Sequence, residues 1–159
     1  ATPDGRINLT IDELLPELLS LREETTATDA SFPFVLTAGE RRTSTANTIF
    51  RDPKWRKKDV GGALRMSPTD AERLGVADGG RVRIRTARGA ADTIVEVNDC
   101  MLPGHVSLPN GFGLSDPEGG GSTAACGVAP NELTSADRRD WLAGTPWHKN
   151  VPAQIEPIV

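Results

Sequence analysis

Between Ser67 and Gly75 the order of polar and apolar residues gives the clearest prediction of a helix in the chain. Ser67 is a favourable N-cap residue, Pro68 fits the first helical position, and Asp70 suits the positive end of the helix dipole. Gly75 can adopt the left-handed conformation that ends many helices. The pattern therefore predicts a helix of about two turns that starts after Ser67.

Alternating apolar and polar residues predict short strands on both sides of this helix. Val82 and Ile84 alternate with three arginines over residues 81–85, so one face of this strand is apolar. A hairpin turn at 87–89 leads to a returning strand at 91–97. Further strands are predicted at 32–37 and, after a type II turn at 102–104, at 105–108, while residues 64–66 begin a second unit of the chain.

The rest of the chain carries weaker signals. Residues 1–31 are interpreted as a lead-in, in which a helix starts at Pro16 and a polar linker follows. Such a lead-in suits a C-terminal piece of a larger chain. A short helix is predicted over 135–142, while residues 40–59 and 113–130 show no period and are predicted to be long loops.

The composition sets the size and class of the fold. The chain has 159 residues, of which 37% are apolar and 4% aromatic, and this suits one globular domain with an aliphatic core. Its 16 glycines and 12 prolines indicate many chain reversals. Because no regular alternation of strands and helices is visible, we predict a mainly β fold with short helices. The prediction is an antiparallel-rich small barrel over 32–159, preceded by the lead-in of 1–31.

Charge and cysteine content bear on possible partners and location. A net charge of −4 gives no general attraction to nucleic acid or to anionic membranes, so no nucleic acid partner is expected. No apolar run approaches the roughly 20 residues that span a bilayer, and the N-terminus lacks a signal-peptide pattern. Cys100 and Cys126 are interpreted as reduced, small packing residues, and the cytoplasm is the expected location.

The residues of the chain offer little chemistry of their own. The sequence contains two histidines, His105 and His148, and no tyrosine, and neither histidine lies in a metal-ligand spacing. It also contains no nucleophile elbow, no Walker A loop and no Gly-x-Gly-x-x-Gly fingerprint. We therefore predict no catalytic residue and no metal ligand within the chain, and the remaining candidates are binding residues.

Polar residues next to predicted strand ends are the binding candidates. In the run from Thr37 to Arg42, Gly39 allows backbone N–H groups to approach an anion, and the arginines can hold phosphate oxygens. A surface turn with a solvated charge pair is the alternative interpretation of this run. Barrel ends are common ligand sites. The candidates are Ala38, Gly39, Glu40, Arg41 and Arg42, then Asn110 and Gly111, Asn131 and Thr134, and His148 and Lys149.

Five blocks of the chain, taken in order, resemble a known family. PDGRI at 3–7 resembles its entry, and FVLTAGERR at 34–42 resembles its first strand and ligand-contacting turn. SPTDAERLGV at 67–76 resembles its most recognisable stretch, and 131–134 and 144–149 resemble its closing loops. The family is the molybdopterin-dinucleotide-binding domain, the C-terminal domain of molybdopterin oxidoreductases such as dimethyl sulfoxide reductase, formate dehydrogenases and nitrate reductases.

The resemblance implies a double-psi β-barrel, an aspartate decarboxylase-like barrel, that binds molybdopterin guanine dinucleotide. In such enzymes the domain covers the nucleotide arms of the cofactor, while molybdenum or tungsten and any iron–sulfur cluster are held by other domains. The implied parent is a formate dehydrogenase-like or nitrate reductase-like oxidoreductase, and this domain is expected to be inactive by itself. The missing catalytic domains are the expected partners, and the sequence does not indicate the electron-transfer partner.

The resemblance also implies roles for the binding candidates. The turn 38–42 would meet a pyrophosphate or guanosine, with Asn47 in the following loop as a further candidate. The pair 110–111 would lie close to a pterin or phosphate, 131 and 134 would hydrogen-bond guanine or ribose, and 148–149 would approach the pterin or phosphate. Many members read Thr-Gly-Arg at the first turn, where this chain has Ala-Gly-Glu-Arg, so Glu40 would face guanine N–H donors or solvent.

Two other functions remain open at the level of sequence. Related barrels serve as non-enzymatic adaptor modules of chaperone-like ATPases, and the basic segment Arg51–Lys58 would then be a partner surface. In the cofactor interpretation the same segment either neutralises phosphates or is solvated surface. A self-processing decarboxylase on the same type of barrel would cleave a Gly-Ser bond, and Gly121-Ser122 is present.

Overall fold

The computed structural model describes residues 2–7, 10–23, 28–40, 61–113, 127–140 and 143–158. Short 3₁₀ helices lie at Asp12–Leu14 and Pro130–Glu132. The α-helices and strands are, in chain order, α1 (Leu15–Ser20), β1 (Phe34–Glu40), β2 (Leu64–Met66), α2 (Pro68–Leu74), β3 (Arg81–Arg85), β4 (Ala90–Val97), β5 (His105–Pro109) and β6 (Val151–Pro157).

The six strands close into a barrel in the order β1-β5-β2-β4-β3-β6. β1 is parallel to β5 and β2 is parallel to β4, whereas the other four neighbouring pairs are antiparallel. If β1, β2 and β3 are exchanged with β4, β5 and β6, every pairing and its direction are retained. This internal twofold relation is that of a double-psi barrel, and the predicted mainly β fold with short helices is confirmed.

Aliphatic side chains from alternate strand positions fill the barrel. In β3, Val82 and Ile84 are fully buried, while the three arginines of the strand are exposed, as the alternation predicts. Leu36, Leu64 and Leu108 are likewise fully buried. These side chains belong to one continuous core cluster. Burial of each one stabilises the fold by about 1.5 to 3 kcal/mol.

Helix α2 has the caps that the sequence predicts. The Ser67 hydroxyl accepts a 3.1 Å hydrogen bond from the backbone N–H of Asp70, and Gly75 ends the helix with a φ of 68°. The buried Asp70 carboxylate accepts hydrogen bonds from the Ser67 hydroxyl at 2.8 Å, from the backbone N–H of Gly104 at 2.7 Å and from Arg73 Nη2 at 2.8 Å. Because Gly104 lies in the turn before β5, this carboxylate attaches the helix to the barrel.

Two predicted turns are confirmed. The N–H of His105 donates to the carbonyl of Leu102 at 3.0 Å, and Gly104 has a φ of 80°, as a type II turn requires. Between β3 and β4 the N–H of Thr86 donates to the carbonyl of Gly89 at 2.8 Å. The hairpin therefore forms as predicted, with β4 beginning one residue earlier, at 90.

Other strand and helix boundaries also differ from prediction. β1 does not end before Ala38 but continues to Glu40, because a bulge allows Gly39 to remain in the strand. The first helix begins at Leu15 rather than at Pro16, which still lies in its first turn, where a missing N–H costs nothing. Its Leu18 side chain is 61% exposed.

The helix predicted over 135–142 is wrong for the residues that the structure describes. Residues 136–138 form bends, and Arg139 makes an isolated antiparallel bridge with Pro146. The Asp140 carboxylate accepts a 2.6 Å hydrogen bond from the N–H of Ala143 and so helps to turn the chain back. Such a local bond between a side chain and the backbone competes with the hydrogen bonds of a helix.

Several sequence predictions fall outside the described residues. These include the loops over 41–60 and 114–126, and with them the basic segment Arg51–Lys58, Cys126 and Gly121-Ser122. Cys100 is a free cysteine on the surface, so its prediction as a packed residue is wrong. None of the helices in the described ranges is both long and apolar enough to cross a membrane.

Candidate functional site

Strand direction brings the predicted binding residues to one end of the barrel. β1, β3 and β5 run one way, and β2, β4 and β6 run the other. The ends of the first three strands and the starts of the other three therefore meet. We call this end the site rim; it comprises residues 38–40, 61–63, 86–89, 110–113 and 130–150, where described. The predicted residues found there are Ala38, Gly39, Glu40, Asn110, Gly111, Asn131, Thr134, His148 and Lys149.

A β-bulge at Gly39 sets the direction in which β1 ends. Ala38 pairs with Leu108 and Glu40 with the next residue, Pro109, so that Gly39 is the extra residue. Gly39 has a φ of 81°, which a residue with a side chain adopts only at a cost. Without the bulge Glu40 would continue the inward alternation of β1. The bulge turns Glu40 to the outer face of the barrel.

On that outer face Glu40 belongs to a polar network that crosses four strands. One carboxylate oxygen accepts a hydrogen bond from Arg65 Nη1 at 2.6 Å, and the other accepts from the Ser107 hydroxyl at 2.8 Å. Arg65 Nε also donates to Glu96 at 2.9 Å. The sequence suggested guanine donors or solvent as partners of Glu40. The observed bonds tie the bulged end of β1 to β2 and β5.

The segment before β6 packs against the same strand end. The N–H of Ala38 donates to the carbonyl of His148 at 2.7 Å, and Lys149 Nζ lies 3.4 Å from the carbonyl oxygen of Gly39. Residues more than a hundred positions apart in the chain therefore share one edge of the site rim. Two of the predicted groups, 38–40 and 148–149, are in direct contact.

The third predicted group joins them through Glu40. The N–H of Asn110 donates to the carbonyl of Glu40 at 2.9 Å, and the Asn110 side-chain oxygen accepts from the N–H of Gly111 at 3.0 Å. Gly111 has a φ of 87°, so the turn after β5 needs a glycine. The exposed Asn110 side chain is thereby held beside the end of β1.

Close backbone packing lies beneath this turn. A Cβ at Gly62 would stand 2.6 Å from the ring of the buried Phe112, and one at Gly127 would stand 2.9 Å from Phe112 Cβ. At Gly113 a Cβ would lie 2.0 Å from the backbone nitrogen of Ala129. From the sequence, the glycines of 113–130 suggested a flexible loop. At both ends of that stretch they serve instead to bring backbone and ring together.

The hairpin turn between β3 and β4 is fixed to the 3₁₀ helix at 130–132. The hydroxyl of the buried Thr86 donates to the carbonyl of Leu133 at 2.8 Å and accepts from the N–H of Arg88 at 3.2 Å. A Cβ at Gly89 would lie only 2.9 Å from the carbonyl oxygen of Glu132. The position of Arg88 at the site rim follows from these contacts.

A polar cleft of about 590 Å³ opens between these elements. Arg88 borders it from the hairpin turn and His148 from the segment before β6. Asn131 and Thr134 line it as well, together with Asp137. The fourth predicted group, 131 and 134, therefore shares this cleft with His148, and the cleft offers amide, hydroxyl, imidazole and guanidinium groups.

A smaller and more enclosed cavity of about 220 Å³ adjoins the polar cleft. Its walls include Phe32, Leu133 and Trp147, and Arg88 borders both cavities. The guanidinium of Arg138 lies 5.3 Å from the centre of the Trp147 ring, a favourable cation–π distance. The rim thus combines a polar space with a mostly apolar space lined by aromatic rings.

Arg88 differs from the arginines on the outer barrel face. Arg83 forms a fork on Asp92, with Nε–Oδ1 at 2.6 Å and Nη2–Oδ2 at 3.0 Å. This hydrogen-bonded pair lowers the pKa of Asp92 and raises the pKa of Arg83. Arg85 pairs with Glu156 at 3.1 Å. These charges are matched within the protein and lie on the outer surface of the strands.

Three predicted binding residues, Arg41, Arg42 and Asn47, lie outside the described residues. Conversely, sequence reasoning missed Arg88 and Thr86 as residues of the rim. The only available signal was a basic residue in a hairpin turn, and its relevance depends on β3 running in the same direction as β1. Across the described ranges no group of three or more His, Cys, Asp or Glu residues could hold a metal ion.

Comparison with known proteins adds a family match. Residues 34–152 match the sequence profile of a family described as "Molydopterin dinucleotide binding domain". The matched range runs from the first residue of β1 to the second residue of β6. It therefore contains the whole site rim.

Two curated relatives and one solved structure extend the comparison. A tetrathionate reductase subunit of Salmonella typhimurium is 27% identical over 112 residues, which cover 58% of this chain and 11% of the relative. Probable oxidoreductase YoaE of Bacillus subtilis is 30% identical over 112 residues, which cover 66% of this chain and 16% of the relative. Acetylene hydratase from Pelobacter acetylenicus superposes with a TM-score of 0.65 at 19% identity, over 92% of this chain and 20% of that one. The chain thus spans a small part of each of these proteins.

Proposed function

Because the chain belongs to the molybdopterin dinucleotide binding domain family, we propose that its site rim holds the nucleotide arm of molybdopterin guanine dinucleotide. In this proposal the domain serves a larger molybdenum or tungsten oxidoreductase and performs no chemical step by itself. When bound, the cofactor supplies the redox chemistry, while the protein supplies affinity and orientation.

One observation carries the proposal: four separate groups of candidate residues border one rim of the barrel. The contact between Ala38 and His148, at 2.7 Å, joins the end of β1 to the segment before β6. The contact between Asn110 and Glu40, at 2.9 Å, adds the turn after β5. Asn131 adds an amide at the cleft that His148 also borders. A phosphate-linked nucleoside needs such a mixture of cations, amides and hydroxyls in a shared groove.

The donor chemistry of the rim fits the two ends of a dinucleotide. Lys149 and His148 can bind phosphate oxygens, and the exposed Asn110 can bind a phosphate or the pterin. Asn131 and Thr134 can donate to and accept from ribose hydroxyls or the edge of guanine. In the proposal, Glu40 acts indirectly, because its carboxylate holds the bulge from which these groups are presented.

The remainder of the parent enzyme is proposed to complete the site. The chain corresponds to 11% and 16% of the lengths of its two relatives, of which one is named as part of a tetrathionate reductase and the other as a probable oxidoreductase. The metal, its ligands and the substrate are therefore assigned to other domains, with which this domain would assemble. A cytoplasmic location stays a prediction from the sequence.

A titration of the 159-residue chain with GDP, followed through backbone amide resonances in NMR spectra, tests the proposal. We expect weak binding, because other domains would complete the site, with shifts confined to the site rim. The far end of the barrel, represented by Gly79 and Leu102, is the internal control and should not shift. ADP should produce smaller shifts near Asn131 and Thr134 if guanine is read there.

Two results of the same titration would contradict the proposed function. Shifts at the far end alone, or none at GDP concentrations that saturate weak sites, would contradict the proposal. The adaptor-module alternative would then regain weight, since it requires no nucleotide contact.

A further inference from the structure

The side chain of Arg88 is exposed, although the backbone of its turn is held by hydrogen bonds. Its guanidinium has no hydrogen-bond or ion-pair partner in the part of the chain that the structure describes, although its backbone N–H is bonded to Thr86. In contrast, Arg65, Arg83 and Arg85 each form an ion pair with a carboxylate. An arginine at a cleft without an internal carboxylate partner can bind an external anion.

The backbone beneath Arg88 is held at three points. Thr86 bonds to the Leu133 carbonyl at 2.8 Å, the N–H of Thr86 bonds to the Gly89 carbonyl at 2.8 Å, and Gly89 lies close against Glu132. The turn therefore cannot move independently of the segment that carries Asn131 and Thr134. A side chain on a fixed turn loses less entropy on binding than one on a free loop.

The groups that face Arg88 across the cleft suit a phosphate more than a neutral ligand. His148, Asn131 and Thr134 all contribute hydrogen-bond donors to the cleft. One acidic residue, Asp137, also borders it, and its carboxylate accepts a 2.6 Å hydrogen bond from the Ser135 hydroxyl. The cleft thus brings several donors and a guanidinium around one space, which matches the fork geometry of arginine on phosphate oxygens.

The second cavity indicates which part of a nucleotide would lie where. Arg88 stands where the polar cleft meets the apolar cavity lined by Leu133 and Trp147. A phosphate in the polar cleft would leave an attached ring system within reach of the apolar cavity. Asp29 and Arg138 also border the second cavity, but its walls are mostly apolar, so the reverse arrangement would place a doubly charged group in unfavourable surroundings.

We propose that Arg88 binds a phosphate oxygen of the dinucleotide's pyrophosphate, with His148 as a neighbouring donor and with Asn131 and Thr134 beside the adjoining ribose. The inference rests on the proposed function and adds to it a residue and a place for the phosphate. No covalent step is involved.

Three probes separate the phosphate from the nucleoside: GDP, inorganic pyrophosphate and guanosine. Each is titrated into the 159-residue chain and into Arg88→Ala, Arg88→Lys and Arg83→Ala variants, with backbone amide resonances as the readout. We expect Arg88→Ala to weaken binding of GDP and pyrophosphate by roughly tenfold or more, the usual effect of losing a charged hydrogen bond. Guanosine binding should be unchanged. Arg88→Lys, which keeps the charge but loses the fork, should give an intermediate loss.

Arg83→Ala is the matched control, because it removes an arginine from the outer face and should leave all three titrations unchanged. The amide spectrum of each unliganded variant reports whether the barrel is intact. Added salt should weaken pyrophosphate binding more in the wild-type chain than in Arg88→Ala.

Different experimental results would contradict the assignment of Arg88 and the proposed function. If GDP shifts the site rim but Arg88→Ala binds GDP and pyrophosphate as the wild type does, the assignment of Arg88 is overturned and the proposed function stands. The same holds if Arg88→Ala weakens guanosine as much as GDP. If no probe shifts the rim of the wild-type chain, the proposed function itself fails.

Discussion

The hydroxyl of Thr86 donates a 2.8 Å hydrogen bond to the carbonyl oxygen of Leu133, which lies 47 residues further along the chain. Thr86 is 8% exposed and Leu133 is fully buried. This single bond connects the β3–β4 turn to the segment that carries Asn131 and Thr134. It therefore links two sides of the polar cleft.

Replacing Thr86 with valine should lower the free energy of unfolding by about 1 to 2 kcal/mol, because the shape is kept and a buried carbonyl loses its donor. Urea denaturation of the 159-residue chain measures the change. The exposed Thr10 provides a control, for which Thr10→Val should have little effect. Equal stability of the Thr86→Val and Thr10→Val chains would show that the bond does not hold the turn.

The Asp70 carboxylate leads to a second prediction. It is 2% exposed and accepts bonds from Ser67, Gly104 and Arg73. Asp70→Asn places an amide where acceptors are needed and should cost about 2 to 3 kcal/mol in the free energy of unfolding. The exposed Asp99 serves as control, and thermal or urea unfolding of Asp99→Asn should match the wild type. A loss of similar size in both variants would argue against a specific role of the buried carboxylate.

Two glycines with positive φ allow the energetic cost of a left-handed backbone to be distinguished from the cost of a steric clash. Gly104, with a φ of 80°, has no atom within 4 Å of the position that a Cβ would take, whereas at Gly113, with a φ of 78°, the Cβ would lie 2.0 Å from Ala129 nitrogen. Gly104→Ala should cost about 1 to 2 kcal/mol for its left-handed backbone alone. Gly113→Ala should cost roughly 1 to 3 kcal/mol more, because backbone atoms must move. Chemical denaturation of both chains tests this order, and a smaller cost at 113 would contradict the close packing.

The Arg83–Asp92 pair predicts a pH effect whose sign can be derived. Its hydrogen bonds lower the pKa of Asp92 below the ordinary value of 3.8. A lowered carboxyl pKa stabilises the fold above the ordinary value, and this contribution is lost as the pH falls through the lowered pKa. An NMR titration of the Asp92 carboxyl carbon should therefore give a midpoint below 3.8.

Arg83→Gln should move that midpoint upward, since the hydrogen bond from Arg83 is the largest cause of the shift. Arg85→Gln removes only a smaller Coulombic contribution and should move it less. Equal midpoints in the wild type and Arg83→Gln would rule out the fork as the cause.

Local signals predicted the local structure well. Ser67, Gly75 and the Leu102–Gly104 turn have the roles expected of their residue types, because caps and turns depend on neighbours in the chain. The alternation of Val82 and Ile84 with arginines gave the buried face of β3 correctly. Local signals failed for the helix predicted over 135–142, which does not form over the described residues 135–140. There the Asp140 carboxylate accepts a hydrogen bond from the N–H of Ala143, and this local bond competes with helix formation.

The pairing of strands that are distant in the chain could not be predicted from such local signals. Nothing in the sequence of β1 indicates that β5 lies parallel to it, and the bulge at Gly39 depends on that pairing. Polar residues near predicted strand ends gave the groups at 110–111, 131–134 and 148–149, and the resemblance to a family gave their expected roles. Their position on one rim follows only from the fold. Arg88 and Thr86 reach the rim only through the direction of β3, so they became visible only in the folded barrel.

The twofold relation of the strands has a consequence for how the chain is made. Every neighbour of β1, β2 and β3 in the described barrel is β4, β5 or β6. As the chain leaves the ribosome, the first three strands have no sheet partner, and the β3–β4 hairpin is the first pair that can form. Since β6 is the strand that joins β1 to β3, the barrel can close only after β6 has been synthesised. Loss of β6 would leave two open strand edges, of the kind that promote aggregation.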